Sequence, residues 1–135
     1  MSMNVTGRCH CGRISYEAIV DAGKVTLCHC TDCQTLTGSA YRATVPASAE
    51  TFRLHGEPPS IYVKTAESGA KRVHAFCPEC GAPVYSASID EPKTYSLRVG
   101  CLEQRRTLRP TRQIWCRSAL PWAMSLEDVT QASRG

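Results

Sequence analysis

The chain lacks long apolar runs. None approaches the ~18 residues of a membrane-spanning helix, so no segment reads as one. The opening residues, Met1-Ser2-Met3-Asn4-Val5-Thr6, have no apolar core and do not read as a signal peptide. The expected location is therefore cytoplasmic, in a reducing compartment. Aromatic residues make up only 7% of the chain and are not interleaved with the basic ones. That argues against a stacking platform for single-stranded nucleic acid. No segment carries a sustained helical period, and there is no low-complexity linker that would mark a second domain. A G-x-S-x-G motif and a P-loop are both missing. The acidic residues show no paired spacing suited to general acid–base work.

What the chain does have is cysteine: nine in 135 residues. In a reducing compartment that count favours metal over disulfides, and an odd number suits a disulfide framework poorly. Seven of the nine fall in three clusters. These are Cys9-His10-Cys11-Gly12, Cys28-His29-Cys30-Thr31-Asp32-Cys33 and Cys77-Pro78-Glu79-Cys80-Gly81. Residues i and i+2 of an extended segment project to one face, so His10 and His29 point away from the thiols beside them. Solvent or a supporting role suits these histidines better than ligation. Cys77-x-x-Cys80-Gly81 has the form of a zinc-knuckle turn, with the glycine letting the backbone fold back on the sulfurs.

By counting, Cys9, Cys11, Cys77 and Cys80 make a closed four-thiolate structural site. Spacing alone does not settle that pairing. Cys28, Cys30 and Cys33 then remain, and three protein ligands with an open position is the arrangement of catalytic zinc. Three thiolates leave the ion a weak Lewis acid, poor at activating water but able to hold an incoming thiol as thiolate. Two alternatives stay open. Cys101, Cys116, His55 or His74 closes this site into a second structural one, or the three thiols form a metal-free redox group. Cys101 and Cys116 stand alone in strand-like segments and read as buried, inert thiols.

Short alternating segments separated by turns every 8–12 residues predict an all-β domain with few or no helices. Residues 1–6 read as a loose start, 7–125 as one zinc-binding domain and 126–135 as a tail. Strands are expected at 14–19, 24–27, 40–45 (ending at Pro46), 52–54, 61–63, 72–76, 83–86, 94–99 and 113–116. Gln34 to Gly38 is expected as one helical turn stopped by Gly38, and a short helix is expected near 126–129. The densest basic stretch, Arg105-Arg106-Thr107-Leu108-Arg109-Pro110-Thr111-Arg112, reads either as a site for nucleic acid or an anionic small molecule or as a solvated loop, and the short charge block favours the loop.

The motifs resemble those of the glutathione-dependent formaldehyde-activating enzyme (GFA) family, which includes centromere protein V. The resemblance is carried by Gly7-Arg8-Cys9-His10-Cys11-Gly12, by Cys28 to Gln34 with Thr37-Gly38-Ser39, and by Phe76-Cys77-Pro78-Glu79-Cys80-Gly81. Gly100-Cys101-Leu102-Glu103, Pro110-x-x-Gln113-Ile114-Trp115 and Pro121-Trp122 resemble later family segments, so the match runs from about residue 7 to 125. The resemblance implies a β-tent of packed antiparallel sheets. It implies a structural zinc on Cys9, Cys11, Cys77 and Cys80, and a catalytic-type zinc on Cys28, Cys30 and Cys33. The implied activity joins glutathione to formaldehyde as S-hydroxymethylglutathione, a carbon–sulfur lyase reaction. Gln113 stands where many relatives have histidine, and Cys101 replaces a small hydroxyl residue.

The expected function is thus a zinc-dependent carbon–sulfur lyase acting on aldehyde adducts of glutathione or another small thiol. Arg42, Arg105, Arg106 or Arg109 would pair with substrate carboxylates. The rival from another class is a non-catalytic zinc module that binds a protein or nucleic acid, with nucleic acid disfavoured. A thiol-redox protein is a third. Exposed sheet edges in a small β domain make a homodimer an expectation as well.

Overall fold

The computed structural model describes residues 1–135. It is an antiparallel β structure with one α-helix. The strands are β1 (Ser2–Arg8), β2 (Ile14–Asp21), β3 (Thr26–Cys28), β4 (Arg42–Ser48) and β5 (Arg53–Gly56). They continue as β6 (Ser60–Thr65), β7 (Lys71–Phe76), β8 (Pro83–Ser88), β9 (Thr94–Arg98) and β10 (Arg112–Ile114). The helix, α1 (Thr31–Thr37), lies between β3 and β4. No helix is long and apolar enough to cross a membrane.

The main sheet path runs β1-β2-β4-β9-β8-β7-β6. It branches at β4, which pairs with β9 along one edge. Its other edge is shared: Arg42–Thr44 pair with β3, and Ala47 pairs with Val20 of β2. The strand expected to end at Pro46 instead runs on to Ser48. Pro46 falls where β4 changes partner from β3 to β2, so its missing N–H is tolerated there. One pair departs from the antiparallel rule. β10 lies parallel to β3, with Ile114 beside Cys28.

The branches close over a single core, and the alternation in the strands explains which residues enter it. Ile14, Tyr16, Ala18 and Val20 of β2 are buried, while Glu17 and Ile19 face out. Val45 and Ala47 of β4, Val84 of β8 and Leu97 of β9 join them. Phe52 sits at the centre of an aromatic group, stacked on Tyr95 with ring centroids 4.6 Å apart and edge-on to Tyr85 at 5.5 Å.

Two terminal expectations are corrected. Within residues 1–6, expected as a loose start, Ser2 to Thr6 belong to β1, which pairs with β2 from Ser2↔Asp21 to Arg8↔Ser15. Val5 is the one buried apolar side chain of this strand, the other buried position being Gly7, so its apolar alternation is too sparse to stand out in the sequence. The short helix expected near 126–129 is a single turn, Val129 N–H to Leu126 O at 3.1 Å. So short an exposed segment does not offset the cost of helix nucleation. The regular structure before it is a 3₁₀ turn at Pro121–Met124.

Candidate metal centres

Two turns of matching form bring the first cysteine set together. In the β1–β2 turn the Cys9 N–H donates to Ile14 O at 3.0 Å and the Gly12 N–H to Cys9 O at 3.1 Å. In the β7–β8 turn the Cys77 N–H donates to Ala82 O at 2.9 Å and the Gly81 N–H to Cys77 O at 2.8 Å. Gly12 and Gly81 take φ of 83° and 77°, the left-handed region where a side chain is strained. Each glycine turns the backbone so that both sulfurs of its segment face one point.

The four sulfurs of Cys9, Cys11, Cys77 and Cys80 lie within 4.8 Å of one another. Cys9 Sγ is 3.6 Å from Cys11 Sγ, and Cys11 Sγ is 3.7 Å from Cys77 Sγ. No disulfide forms. With metal–sulfur bonds of about 2.3 Å, a tetrahedral zinc site has edges of about 3.8 Å, so the spacing fits such an ion. Cys9 and Cys77 are fully buried. Backbone N–H groups of Ala82 and Cys11 pull the Cys80 thiol down to about 6. Thiolate character is thus favoured by the backbone itself.

The second set is built on β3 and the start of α1. Cys28 ends β3, and Cys30 is the N-cap of the helix. The Cys30 sulfur accepts from the Cys33 N–H at 3.2 Å. An N-cap residue and the residue three positions on face each other across the first turn, so this C-x-x-C is a capping arrangement that aims two thiols at one place. The helix starts at Thr31, earlier than expected, and Gly38 stops it in the left-handed conformation as expected. Cys28, Cys30 and Cys33 have sulfurs within 4.8 Å of one another. Burial and then the neighbouring Cys30 push the Cys33 thiol up to about 12. Burial also opposes ionisation of Cys30, yet bonds from the Cys33 side chain and backbone hold it below its ordinary value.

None of the four candidate fourth ligands joins this set. Cys101, expected inside a strand, ends a 3₁₀ turn (Val99–Cys101) and donates to Pro83 O at 3.2 Å. Cys116, expected to be buried in a strand, is exposed in the 3₁₀ turn Cys116–Ser118. Both lie past the last residue of their strands, where the chain turns outward. His55 pairs with Glu17 at 3.1 Å, and His74 Nδ1 accepts from Arg98 Nη2 at 3.3 Å. His10 is exposed, as expected. His29 is not solvent-facing: it is fully buried, with Nε2 2.7 Å from Gln113 Oε1 and its ring edge-on to Tyr41. Gln34 ties the same region down, donating to His29 O at 2.8 Å and to Ser118 O at 3.0 Å.

A cleft of about 490 Å³ opens at Cys30, lined also by Asp32, Lys64, Glu67, Trp115 and Arg117. Lys64 of β6 reaches Asp32 of α1 at 2.8 Å and holds that carboxyl below its usual range. Trp115 is half exposed and sits at φ 58°, ψ 37°, a strained conformation for a bulky residue. Arg117 lies 5.2 Å over its ring. The sequence reading missed Lys64, Trp115 and Arg117 as site residues, because β6 and the β10 exit reach the thiols only through the fold. Of the arginines singled out, Arg42 is buried on β4 directly opposite Cys28. Arg105, Arg106 and Arg109 are exposed, and Arg105 folds back onto Leu102 O at 3.1 Å.

Comparison with known proteins agrees with this architecture. A crystal structure of a Rhodobacter sphaeroides protein matches with a TM-score of 0.62 and 20% identity, covering 80% of this chain and 98% of that one. That likeness bears on the fold. The family model for the glutathione-dependent formaldehyde-activating enzyme matches residues 4–118. With two knuckle turns closing one thiol set and a capped helix presenting the other, the chain belongs to the glutathione-dependent formaldehyde-activating enzyme family.

Proposed function

We infer that the protein is a zinc-dependent carbon–sulfur lyase acting on aldehyde adducts of a small thiol such as glutathione. The observation that carries this is the contrast between the two thiol sets. Cys9, Cys11, Cys77 and Cys80 make a closed set with two fully buried members. Cys28, Cys30 and Cys33 bring only three donors, and Cys30 opens on a cleft. The family name supports glutathione and formaldehyde as the thiol and the aldehyde.

A zinc ion held by Cys28, Cys30 and Cys33 would supply an open position that keeps a substrate thiol in its nucleophilic, deprotonated form. The chain's own residues orient the partners. His29 and Gln34 lock the turn that carries the thiols, through Gln113 and Ser118. Lys64, Arg117 and the face of Trp115 line the approach and suit an anionic thiol such as glutathione. In the forward direction the sulfur lone pair forms the C–S bond, the carbonyl π pair moves to oxygen, and that oxygen takes up a proton. The thiol has already released its proton, so the step is balanced with no oxidant or reductant. The reverse step returns the C–S pair to sulfur as the carbonyl reforms.

The test is zinc per chain together with the exchange rate between formaldehyde and S-hydroxymethylglutathione, followed by NMR in wild type and Cys28→Ser. Two zincs falling to one, with loss of the accelerated exchange, is the expected result. One zinc in both proteins, or acceleration unchanged by the substitution, overturns it.

A further inference from the structure

A second cavity, of about 330 Å³, lies between α1 and strands β4 and β6–β9. Thr37, Arg42, Tyr62, His74 and Arg98 are among its walls. Arg42 and Arg98 are 8% and 6% exposed, so both guanidinium side chains are more than nine-tenths out of water. Neither has a carboxylate partner, and none of the four ion pairs in the structure involves an arginine. Arg98 Nε and Nη1, Arg42 Nε and His74 Nε2 are all buried without a hydrogen-bond partner. The only side-chain bond of Arg98 is the one from Nη2 to His74 Nδ1, which is itself neutral.

Four unpartnered polar nitrogens around one cavity are costly. A buried polar group without a bond costs about 1–3 kcal/mol, and a charged one costs more. Burial and then Arg42 pull Arg98 down to about 9, so it keeps its charge at neutral pH. Burial and the same arginines hold His74 near 4, hence neutral. The cavity therefore carries two positive charges and aims N–H donors inward with nothing to receive them. Thiolates at Cys28, Cys30 and Cys33 would balance part of that charge. They would not satisfy the donors, because no sulfur lies within hydrogen-bond reach of Arg98 Nε or Nη1.

The register links the cavity to the thiols. Arg42 is opposite Cys28 across β3 and β4, and Arg98 is opposite Thr44 across β4 and β9. Residues two apart on a strand share a face, so Cys28, Arg42 and Arg98 lie on one side of the sheet. We propose that this cavity is an oxyanion-binding subsite, in which Arg42, Arg98 and His74 hold a carboxylate or phosphate group of the substrate whose sulfur meets Cys28, Cys30 and Cys33. The placement of that sulfur rests on the function proposed above; the anion site itself does not.

The experiment titrates the zinc-loaded protein with acetate, inorganic phosphate and chloride at matched ionic strength, following the arginine Nε–H resonances by NMR. The Arg42 and Arg98 signals are expected to shift saturably with acetate or phosphate and not with chloride. Saturation by acetate alone identifies a carboxylate site, and by phosphate alone a phosphate site. Arg98→Gln should weaken binding roughly thirty-fold or more, as expected for truncating one partner of a buried charge pair. It should also leave stability in anion-free buffer equal or higher, since it removes an unpaired buried charge. Arg42→Gln gives the same reading of affinity if Arg98→Gln does not fold. Resonances that ignore both oxyanions, or an unchanged response in the variant that folds, overturn the proposal. Saturable shifts that persist in Cys28→Ser would uphold the subsite even if the lyase reading fails. Thiol–aldehyde exchange with no oxyanion response would uphold the lyase and remove the subsite.

Discussion

Cys28 on β3 and Arg42 on β4 stand directly opposite each other, side chains on the same face of the sheet. Arg42 is buried, and its positive charge favours the thiolate form of Cys33 in the same set. Three thiolates around a divalent ion carry a net negative charge, and Arg42 offsets it. Arg42→Met should therefore lower zinc affinity at the three-thiol site by about ten-fold, the effect of a unit charge within about 10 Å at an effective dielectric near 20. Affinity at the four-thiol site should be unchanged. Competition with a chromogenic chelator resolves the two ions. Equal weakening at both sites would mean a general loss of structure in place of charge balance.

The four-thiol set ties the β1–β2 turn to the β7–β8 turn, near opposite ends of the main sheet path. Binding energy at such a site is folding energy, ~10–16 kcal/mol in small zinc domains. Cys77→Ser should leave a chain without cooperative thermal unfolding. Cys33→Ser should keep its far-UV spectrum and its melting transition. Calorimetry on the two variants checks the contrast, and a Cys77→Ser protein that melts like wild type would refute it.

Gly7 faces Tyr16 across β1 and β2, and a methyl group there would meet the Tyr16 ring at 2.4 Å. The ring occupies the space above the glycine because no side chain is present there. Gly7→Ala must displace a fully buried tyrosine that packs on Phe52. The expected cost is about 1–3 kcal/mol, the range for overpacking a core. Urea denaturation should show a lower midpoint with an unchanged slope. The sequence contains no sign of this contact, since Gly7 there reads only as a turn residue before Cys9.

That contrast between turn and contact describes what was legible beforehand. The alternation of Ile14 to Ile19 and of Thr94 to Val99 marks β2 and β9 directly. The glycines after Cys11 and Cys80 mark the knuckles. Ligand counting and family resemblance agreed on two thiol sets, and the fold brings together those same sets. What remained hidden depends on strands meeting at a distance. Nothing local says that Lys64 would reach Asp32, that His29 would be buried under Gln113, or that Arg98 would lie in a row with Arg42 and Cys28. The parallel β10–β3 pair is hidden for the same reason: three residues pair across more than eighty positions, a separation no local pattern records.

Gln113 illustrates what such a pairing does. Its Oε1 is 2.7 Å from His29 Nε2, and it is the only hydrogen-bond partner of a fully buried imidazole ring. Gln113→Leu should cost about 1–3 kcal/mol, the penalty for leaving a buried donor unmade. Because His29 lies between two of the three thiols, zinc should also dissociate faster from that site. Chemical denaturation gives the first quantity and stopped-flow chelation the second. A Gln113→Leu protein as stable as wild type would show that the bond is not needed to hold the ring.

His74 provides a pH signature. It is held near 4 in the folded protein, against an ordinary value of 6.5, by burial and by the positive charges of Arg42, Arg98, Lys64 and Arg72 around it. The folded state therefore resists a proton that the unfolded chain accepts. Above 6.5 both states are neutral at this residue and its contribution to stability is complete. As pH falls from 6.5 towards 4 the unfolded chain takes up a proton first, so stability is lost across that window. Below 4 both states are protonated and the loss stops. Acid release of zinc and protonation of Asp32 also destabilise the protein, and both persist when His74 is replaced. The difference between wild type and His74→Gln isolates the histidine. Near pH 5, wild type should take up about one more proton on unfolding than the variant. Parallel stability–pH curves would show that His74 is protonated in the fold. The anion cavity would then hold a third positive charge.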